Sequence, residues 1–181
     1  MWAEGELVMR VALGGLAGSG TTTLANLLSE ELGLRVISSG EIFRKFAEDS
    51  GMSVEDFSKL CERDSSTDKK IDEYMKNLST KEKNAIFEGR LVGYFTEAEL
   101  KVWLRAPVDE RARRIAQREN ISFEVALKRT LEREESERKR YLSYYGIDID
   151  DTSPYHVVLD SEYFNAEQLK EVVVCAVSVL G

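Results

Sequence analysis

The stretch Gly15-Leu16-Ala17-Gly18-Ser19-Gly20-Thr21-Thr22 decides the fold of this 181-residue chain. It matches the phosphate-binding loop pattern G-x-x-x-x-G-K-[ST] at every fixed position except one, because Thr21 stands where the pattern has lysine. Glycines let consecutive backbone N–H groups converge on phosphate oxygens, and the N-terminus of a following helix adds positive potential there. The alternative interpretation is a glycine-rich turn that starts an ordinary helix.

The segments on either side of this loop favour the phosphate-binding interpretation. Residues 7–13 form a short, mostly apolar run that ends at Gly14 and Gly15, which predicts a buried strand. After the loop, apolar residues recur at helical spacing and Gly33 follows as a stop signal. The residues on this helical face are Leu24, Leu27, Leu28 and Leu32.

Short apolar segments alternate with helical patterns along the rest of the chain. Strands are predicted at 35–37, 85–87, 101–104 and 156–159. Helices are predicted at 41–49, 53–60, 68–78, 107–118 and 122–145, and after a capping box at 165–168. In the second of these helices we expect Val54, Phe57 and Leu60 to face inward. This alternation predicts an α/β protein with a parallel sheet covered on both faces.

Overall composition excludes several classes of protein. Lys and Arg number 25 against 33 Asp and Glu, a net charge of −8, which argues against sequence-independent binding of nucleic acid. No stretch approaches 18 uncharged apolar residues, and residues 1–10 contain no signal-like apolar run, so we expect no membrane partner. Cys61 and Cys175 are too far apart for a zinc site. We expect a monomeric, cytoplasmic domain with reduced thiols. Met9 is an alternative start of the protein, in which case Met1 to Val8 are a leader.

The segment 105–140 carries a net positive charge, although the whole chain is acidic. Residues 105–140 contain eleven Lys or Arg and eight Asp or Glu, and nine of the fourteen arginines. The planar guanidinium fork matches phosphate oxygens, so an anionic ligand is favoured for the cluster as a whole. For any single arginine, the alternative is an ion pair on a solvated helix.

Several longer motifs resemble those of the archaeal-type cytidylate kinases, which are nucleoside monophosphate kinases. The resemblance covers about residues 9–169, and loops reading GSGTTT resemble those of some archaeal members. Its marks are Gly15–Thr23, Ser38–Arg44, Phe87–Leu91, Leu104–Pro107, Arg133–Glu137, Arg140-Tyr141 and Tyr144–Asp151. It implies a P-loop NTPase with a five-stranded parallel sheet flanked by helices, transferring the ATP γ-phosphoryl group to CMP or dCMP with Mg²⁺. It further implies a core at 9–37, 84–120 and 155–181, a monophosphate-binding insertion at about 38–83 and a lid at about 121–154.

The resemblance also implies which residues meet ATP and the metal. Thr22 keeps the hydroxyl expected to ligate Mg²⁺, and Glu88 either orients Mg²⁺ through water or only supports Arg90. Arg114 and Arg118, four apart on one helical face, are expected to contact the adenine and the phosphates. The remaining ATP-binding positions are Gly15, Leu16, Ala17, Gly18, Ser19, Gly20, Thr21, Thr22 and Thr23.

If the protein is catalytically active, another cationic side chain must replace the missing lysine of the loop. A charge-assisted hydrogen bond of this kind contributes roughly 1.5–3 kcal/mol. By the resemblance, Arg133, Arg138 and Arg140 are lid arginines that close on the transferring phosphoryl group, and one of them takes over from the residue that Thr21 replaces. The alternative is ion pairing with the neighbouring glutamates Glu132, Glu134, Glu135 and Glu137.

The acceptor side uses residues after the second and third strands. Arg44 and Arg90 are similar to the family arginines that bind the acceptor phosphate, and Ser38 and Gly40 lie beside the pyrimidine nucleotide. Asp72 shares a helical face with Asp68, and a carboxylate there would accept from the cytosine amino group. An exposed, solvated helix face is the ordinary interpretation of two such acids.

Two other functions stay open on sequence alone. The chain would be a kinase for another acceptor, such as AMP, UMP or a small molecule, if the few residues around the acceptor differ in space from those of the family. It would be a nucleotide-binding regulatory module if turnover was lost with the lysine. RNA binding through the basic segment is disfavoured, because glutamates interrupt the arginines.

Overall fold

A computed structural model describes residues 8–180, apart from the side chains of Glu55 and Glu62. The leader expected at Met1 to Val8 therefore lies, except for Val8, outside the described residues. The elements are β1 (Met9–Gly15), α1 (Thr21–Leu32), β2 (Arg35–Ser38), α2 (Ser39–Asp49), α3 (Val54–Arg63), α4 (Ser66–Lys81), β3 (Asn84–Glu88), α5 (Val92–Phe95), β4 (Leu100–Arg105), α6 (Val108–Glu119), α7 (Phe123–Tyr145), β5 (Val157–Asp160) and α8 (Ala166–Ser178).

The five strands form one parallel sheet in the order β2-β3-β1-β4-β5. β1 lies at the centre, and its residues Val11, Ala12 and Leu13 are fully buried, as an apolar strand covered on both faces should be. The predicted fold class is therefore confirmed. Within residues 8–180 no helix is both long enough and apolar enough to cross a membrane.

Helices cover both faces of the sheet. On one face α1 and α8 contribute Leu24, Leu28 and Val173 to a core with β1, β3 and β4. On the other, Ile71 and Met75 of α4 pack against β3 together with partly buried residues of α2. The capping box that starts α8 is present as predicted, with Asn165 and Gln168 bonded reciprocally. The division into core, insertion and lid stays a prediction.

One inward-facing residue of α3 was predicted incorrectly. Leu60 is 42% exposed, whereas the neighbouring Cys61 is completely buried. Phe57 and Cys61, four apart on the helix, pack with Ala47 of α2 in a small separate cluster. The position of α2, which sequence periodicity does not reveal, decides which face of α3 is covered.

The carboxyl ends of the strands assemble the residues expected to carry chemistry. Glu88, the last residue of β3, pairs in register with Ser38 of β2 on one side and Leu13 of β1 on the other. Gly15, the last residue of β1, lies beside Leu104 of β4. The phosphate-binding loop, Ser38 and Glu88 therefore share one edge of the sheet, where ligands of parallel α/β proteins bind.

Candidate active site

The loop between β1 and α1 has the backbone of an anion-binding nest. Gly18 and Gly20 have φ angles of +81° and +95°, in the left-handed region that glycine adopts without strain. A Cβ on Gly18 would lie 2.6 Å from the carbonyl oxygen of Arg111, so this position requires glycine for space as well. Gly20 caps α1 without a side-chain hydrogen bond, which leaves the first amides of the helix for a ligand.

The Glu88 carboxylate accepts hydrogen bonds from three hydroxyl groups at this edge of the sheet. Its Oε1 accepts from Thr21 Oγ1 at 2.7 Å and from Thr22 Oγ1 at 2.9 Å, and its Oε2 accepts from Ser38 Oγ at 2.6 Å. The residue is only 8% exposed. The alternative in which Glu88 supports Arg90 is wrong, because Arg90 bonds to other groups.

These oxygens form a donor set suited to a hard divalent cation. Magnesium prefers carboxylate and hydroxyl oxygens and retains several waters. Thr22 is exposed, whereas Glu88 is buried and bonded to the Thr22 hydroxyl, so a cation would approach this group of oxygens from the Thr22 side. Among the described residues no cluster of three or more His, Cys, Asp or Glu side chains is present to hold a metal by itself. The residues fit a magnesium ion that is also held by nucleotide phosphates.

Two of the predicted arginines meet beside the loop. Arg90 donates from Nη1 to the carbonyl oxygen of Gly15, and from Nε to Glu137 Oε2 at 2.7 Å. Arg133 donates from Nε to the other oxygen of the same carboxylate at 2.8 Å. Burial opposes the ionised form of Glu137, but the two guanidinium groups outweigh it and lower the pKa of Glu137 to about 2. One buried carboxylate thus holds two arginines from distant segments next to the phosphate-binding loop.

The helix after β4 adds a third arginine to the loop. Arg114 lies with its Nη1 3.4 Å from the carbonyl oxygen of Gly18 and donates to Ser161 through both Nη atoms. Arg118, one turn later, is exposed and pairs with Glu119. The structure therefore brings Arg114 to the loop and leaves Arg118 directed to solvent.

The other two lid arginines are engaged elsewhere. Arg138 pairs with Asp150 at the protein surface. Arg140 is 4% exposed and donates from Nη1 to both carboxylate oxygens of Asp68, at 3.0 and 2.9 Å. Its Nε is buried without a hydrogen-bond partner among the described residues. Neither guanidinium group contacts the loop or Glu137.

Asp68 and Asp72 do not lie on a solvated helix face, so that interpretation is wrong. Asp68 is 6% exposed and paired with Arg140. Asp72 accepts from the Tyr145 hydroxyl at 2.5 Å, next to a cavity of about 250 Å³. Burial raises the pKa of Asp72 to about 7, although the bond from Tyr145 opposes this. Both carboxylates face α7 because that helix packs across α3 and α4.

The start of α2 places the remaining acceptor-side residues together. A methyl group added at Gly40 would lie 3.6 Å from both Arg44 Nη1 and Ser38 Oγ, so these side chains flank the glycine. The side chain of Arg44 is exposed and makes no ion pair or hydrogen bond with the residues that the structure describes. A guanidinium group in this state is accessible to an anion.

Comparisons with known proteins identify the family of the chain. Residues 10–163 match the model of the cytidylate kinase-like family. The chain belongs to that family. It is 46% identical to a cytidylate kinase of Methanobrevibacter smithii, over 95% of this chain and 100% of that one. It is 46% identical to a cytidylate kinase of Methanosarcina mazei, over 95% and 98%, and 43% identical to one of Archaeoglobus fulgidus, over 94% and 96%.

Solved structures share the fold at much lower identity. A shikimate kinase from Acinetobacter baumannii superposes with a TM-score of 0.60 at 14% identity, covering 96% of this chain and 95% of that one. TT1252 from Thermus thermophilus has a TM-score of 0.55 at 20% identity, covering 93% and 97%. These similarities show the fold of the family and nothing more specific.

Sequence reasoning missed Arg111, and it treated Glu134 and Glu137 only as surface partners of arginines. Arg111 is 4% exposed and donates to the carbonyl oxygens of Ala17 and Ala106. A signal was present, because both glutamates continue the buried spacing of α7 set by Ala126 and Thr130. Charged residues at core spacing indicate buried ion pairs as readily as a solvated face.

Proposed function

We propose that this member of the cytidylate kinase-like family transfers the γ-phosphoryl group of ATP to CMP or dCMP. The bond from the γ-phosphorus to the bridging oxygen of ADP breaks, and a new bond forms to a phosphate oxygen of the acceptor. The observation that carries the proposal is the junction of Arg90 and Arg133 on Glu137, beside the Gly15 carbonyl. Two anionic substrates that meet head-on need such positive charge from both sides.

ATP would bind with its phosphates against the amides of residues 15–23. Arg114 supports this placement because its guanidinium group lies at the Gly18 carbonyl, within reach of a bound triphosphate. Arg118 is free to move toward the adenine, since its surface ion pair with Glu119 is weak. Both assignments follow the family resemblance.

Thr22 and Glu88 would hold Mg²⁺, with the nucleotide supplying further oxygens. When bound, the ion neutralises charge on the β- and γ-phosphates. Thr21 has a separate role in this arrangement, because its hydroxyl bonds to Glu88 Oε1 and thereby keeps the carboxylate oriented. The residue in the lysine position thus acts on the acid rather than on the phosphate.

The acceptor phosphate would lie between Arg44 and Arg90, close to Ser38 and Gly40. Arg44 has no competing partner among the described residues, and Gly40 leaves space in front of it. Asp72 is the proposed contact for the cytosine amino group, which requires its bond with Tyr145 to open. The cavity beside Asp72 and Tyr145 supports access from solvent.

Arg133 is the proposed substitute for the missing lysine. It lies on Glu137 with its side chain half exposed, so its free nitrogens are accessible to a phosphoryl group. Arg138 and Arg140 remain proposed lid arginines, but each would first have to leave a carboxylate. For the buried pair of Arg140 and Asp68 that separation is costly.

The test is ADP release measured with AMP, CMP, dCMP, UMP and GMP as acceptors at a fixed ATP and Mg²⁺ concentration. We expect CMP or dCMP to have the highest kcat/KM. A tenfold preference for AMP would overturn the acceptor assignment. Absence of turnover with all five acceptors would reject the proposed kinase activity.

Thr21→Lys separates a kinase from a binding module. We expect the unmodified protein to turn over without a lysine at this position, because Arg90 and Arg133 already supply charge. If the wild type is inert and Thr21→Lys alone restores transfer, the chain is a binding module. Asn26→Lys, at an exposed position of α1 outside the residues expected to bind ATP, is the matched control.

A further inference from the structure

Glu134 and Arg111 form a buried ion pair that no part of the proposed reaction uses. Both oxygens of the Glu134 carboxylate face the guanidinium group, with Arg111 Nη1 on Oε1 and Nη2 3.4 Å from Oε2. Their side chains are 11% and 4% exposed. Glu134 belongs to α7 and Arg111 to α6, so the pair joins two helices. Each member of such a buried pair depends on the other, because removing one leaves an uncompensated buried charge.

Arg111 also forms a hydrogen bond to the phosphate-binding loop. Its Nη1 donates to the carbonyl oxygen of Ala17 at 3.2 Å, and its Nε donates to the carbonyl oxygen of Ala106 at 2.9 Å. Gly18 lies against the Arg111 backbone, because a Cβ there would approach the Arg111 carbonyl oxygen to 2.6 Å. The arginine thus contacts two consecutive loop residues while it is anchored to the end of β4.

This contact bears on how the loop binds anions. The amides of a nest converge on a phosphate only when the intervening carbonyl groups point away from it. Arg111 fixes one of those carbonyls, and the Glu134 carboxylate fixes the guanidinium group of Arg111. A loop restrained before the ligand arrives has less conformational freedom to lose on binding.

We propose that Glu134 is a positioning residue for the ATP-binding loop and acts through Arg111. On α7, Glu134 directly follows Arg133 and lies about one turn from Glu137, so the same helix sets the loop and the arginine junction. The inference rests on the proposed function for its choice of ligand, since ATP is taken to be what the loop binds.

The first experiment compares Glu134→Gln with Glu135→Gln. Glu135 is the matched control because it is exposed and, among the described residues, pairs only with Lys139 on the surface. Affinity for a non-hydrolysable ATP analogue is measured by calorimetry, and KM is measured separately for ATP and CMP. We expect Glu134→Gln to weaken analogue binding and raise the KM for ATP by about tenfold or more. The KM for CMP should change less than about twofold, as should all three values in the control.

A merely structural role would give a different pattern. It would lower the thermal midpoint and the active fraction while leaving the affinity of the folded protein for the analogue unchanged. That result, or an equal rise in both KM values, would overturn the inference. Glu134→Asp keeps the charge and shortens the side chain, so it covers the case in which Glu134→Gln does not fold. We expect it to weaken analogue binding less than Glu134→Gln does.

Arg111→Lys completes the experiment. Lysine keeps the positive charge but lacks the fork that contacts Glu134 and Ala17 together. We expect it to weaken analogue binding, and the double variant with Glu134→Gln to be no weaker than the worse single variant, since both act through one path. If the losses of analogue affinity in the two single variants add up in the double variant, Glu134 does not act through Arg111 and the inference is overturned. Analogue binding does not require turnover, so an inert protein that still shows this pattern would reject the kinase and leave the positioning role intact.

Discussion

Replacing Glu137 with glutamine tests the charge junction beside the phosphate-binding loop. Glu137 is 3% exposed and accepts from Arg90 and Arg133 on its two oxygens. Glutamine has nearly the same shape but no charge, and its NH₂ group would face one of the two guanidinium groups as a second donor. The variant therefore leaves two neighbouring arginines without their shared counter-charge.

The expected loss of stability follows from the acidity of Glu137. Its pKa falls from 4.5 to about 2 in the folded protein, and at about 1.36 kcal/mol for each tenfold change in acidity this corresponds to roughly 3 kcal/mol. Because the folded-state pKa is the lower one, this contribution is complete above about pH 5 and is lost as the pH falls toward about 2. Removing one partner from a buried ion pair costs a similar amount, about 3–5 kcal/mol.

Urea denaturation of the wild type and Glu137→Gln at pH 7 and pH 3 measures this difference. We expect Glu137→Gln to lower the free energy of unfolding by about 3 kcal/mol at pH 7 and by less than half of that at pH 3. Glu135→Gln should change it by less than about 1 kcal/mol at both values. A loss below about 1 kcal/mol at pH 7, or one that does not shrink at pH 3, would refute the assignment of charge to this junction.

Contacts of α7 with α4 and with the loop lead to three other predictions. Asp72→Asn should gain stability relative to the wild type as the pH rises from about 4 to 7, because burial raises the pKa of Asp72 to about 7 and ionisation then destabilises the fold; urea titrations across that range measure the gain. Asp68→Asn should cost about 3–5 kcal/mol by leaving Arg140 buried without its partner, and Asp68→Leu combined with Arg140→Met should recover most of that loss in the same assay. Arg133→Met should lower kcat about 10²–10³-fold with the KM for CMP nearly unchanged, while the exposed Arg129→Met should retain the wild-type kcat.

Local sequence was sufficient for the loop and for most elements. The glycine spacing, the apolar run before it and the leucine stripe after it depend on backbone geometry within a few residues, so they predicted β1, the loop and α1 correctly. Ser38 and Glu88 directly follow the strands predicted at 35–37 and 85–87, and the parallel sheet brings the two residues together. The prediction failed at Leu60, where a second helix decided which face is covered.

The partners of charged side chains were beyond the reach of sequence. Arg133, Arg138 and Arg140 look alike along the chain, yet one lies beside the phosphate-binding loop, one at the surface and one in a buried pair with α4. A guanidinium group on a flexible stem takes its partner from whatever carboxylate the neighbouring helices bring near.

Periodicity, glycine placement and strand ends, all set by short-range sterics, determined the parallel sheet and its phosphate-binding loop from sequence alone. Only the tertiary structure decided that Glu134 and Glu137 are buried, that Arg111 reaches the Ala17 carbonyl, and that Asp68 and Asp72 face α7 rather than water. The physical reason is that the cost of burying a charge depends on partners far away in sequence, and the packing of α6 and α7 supplies those partners.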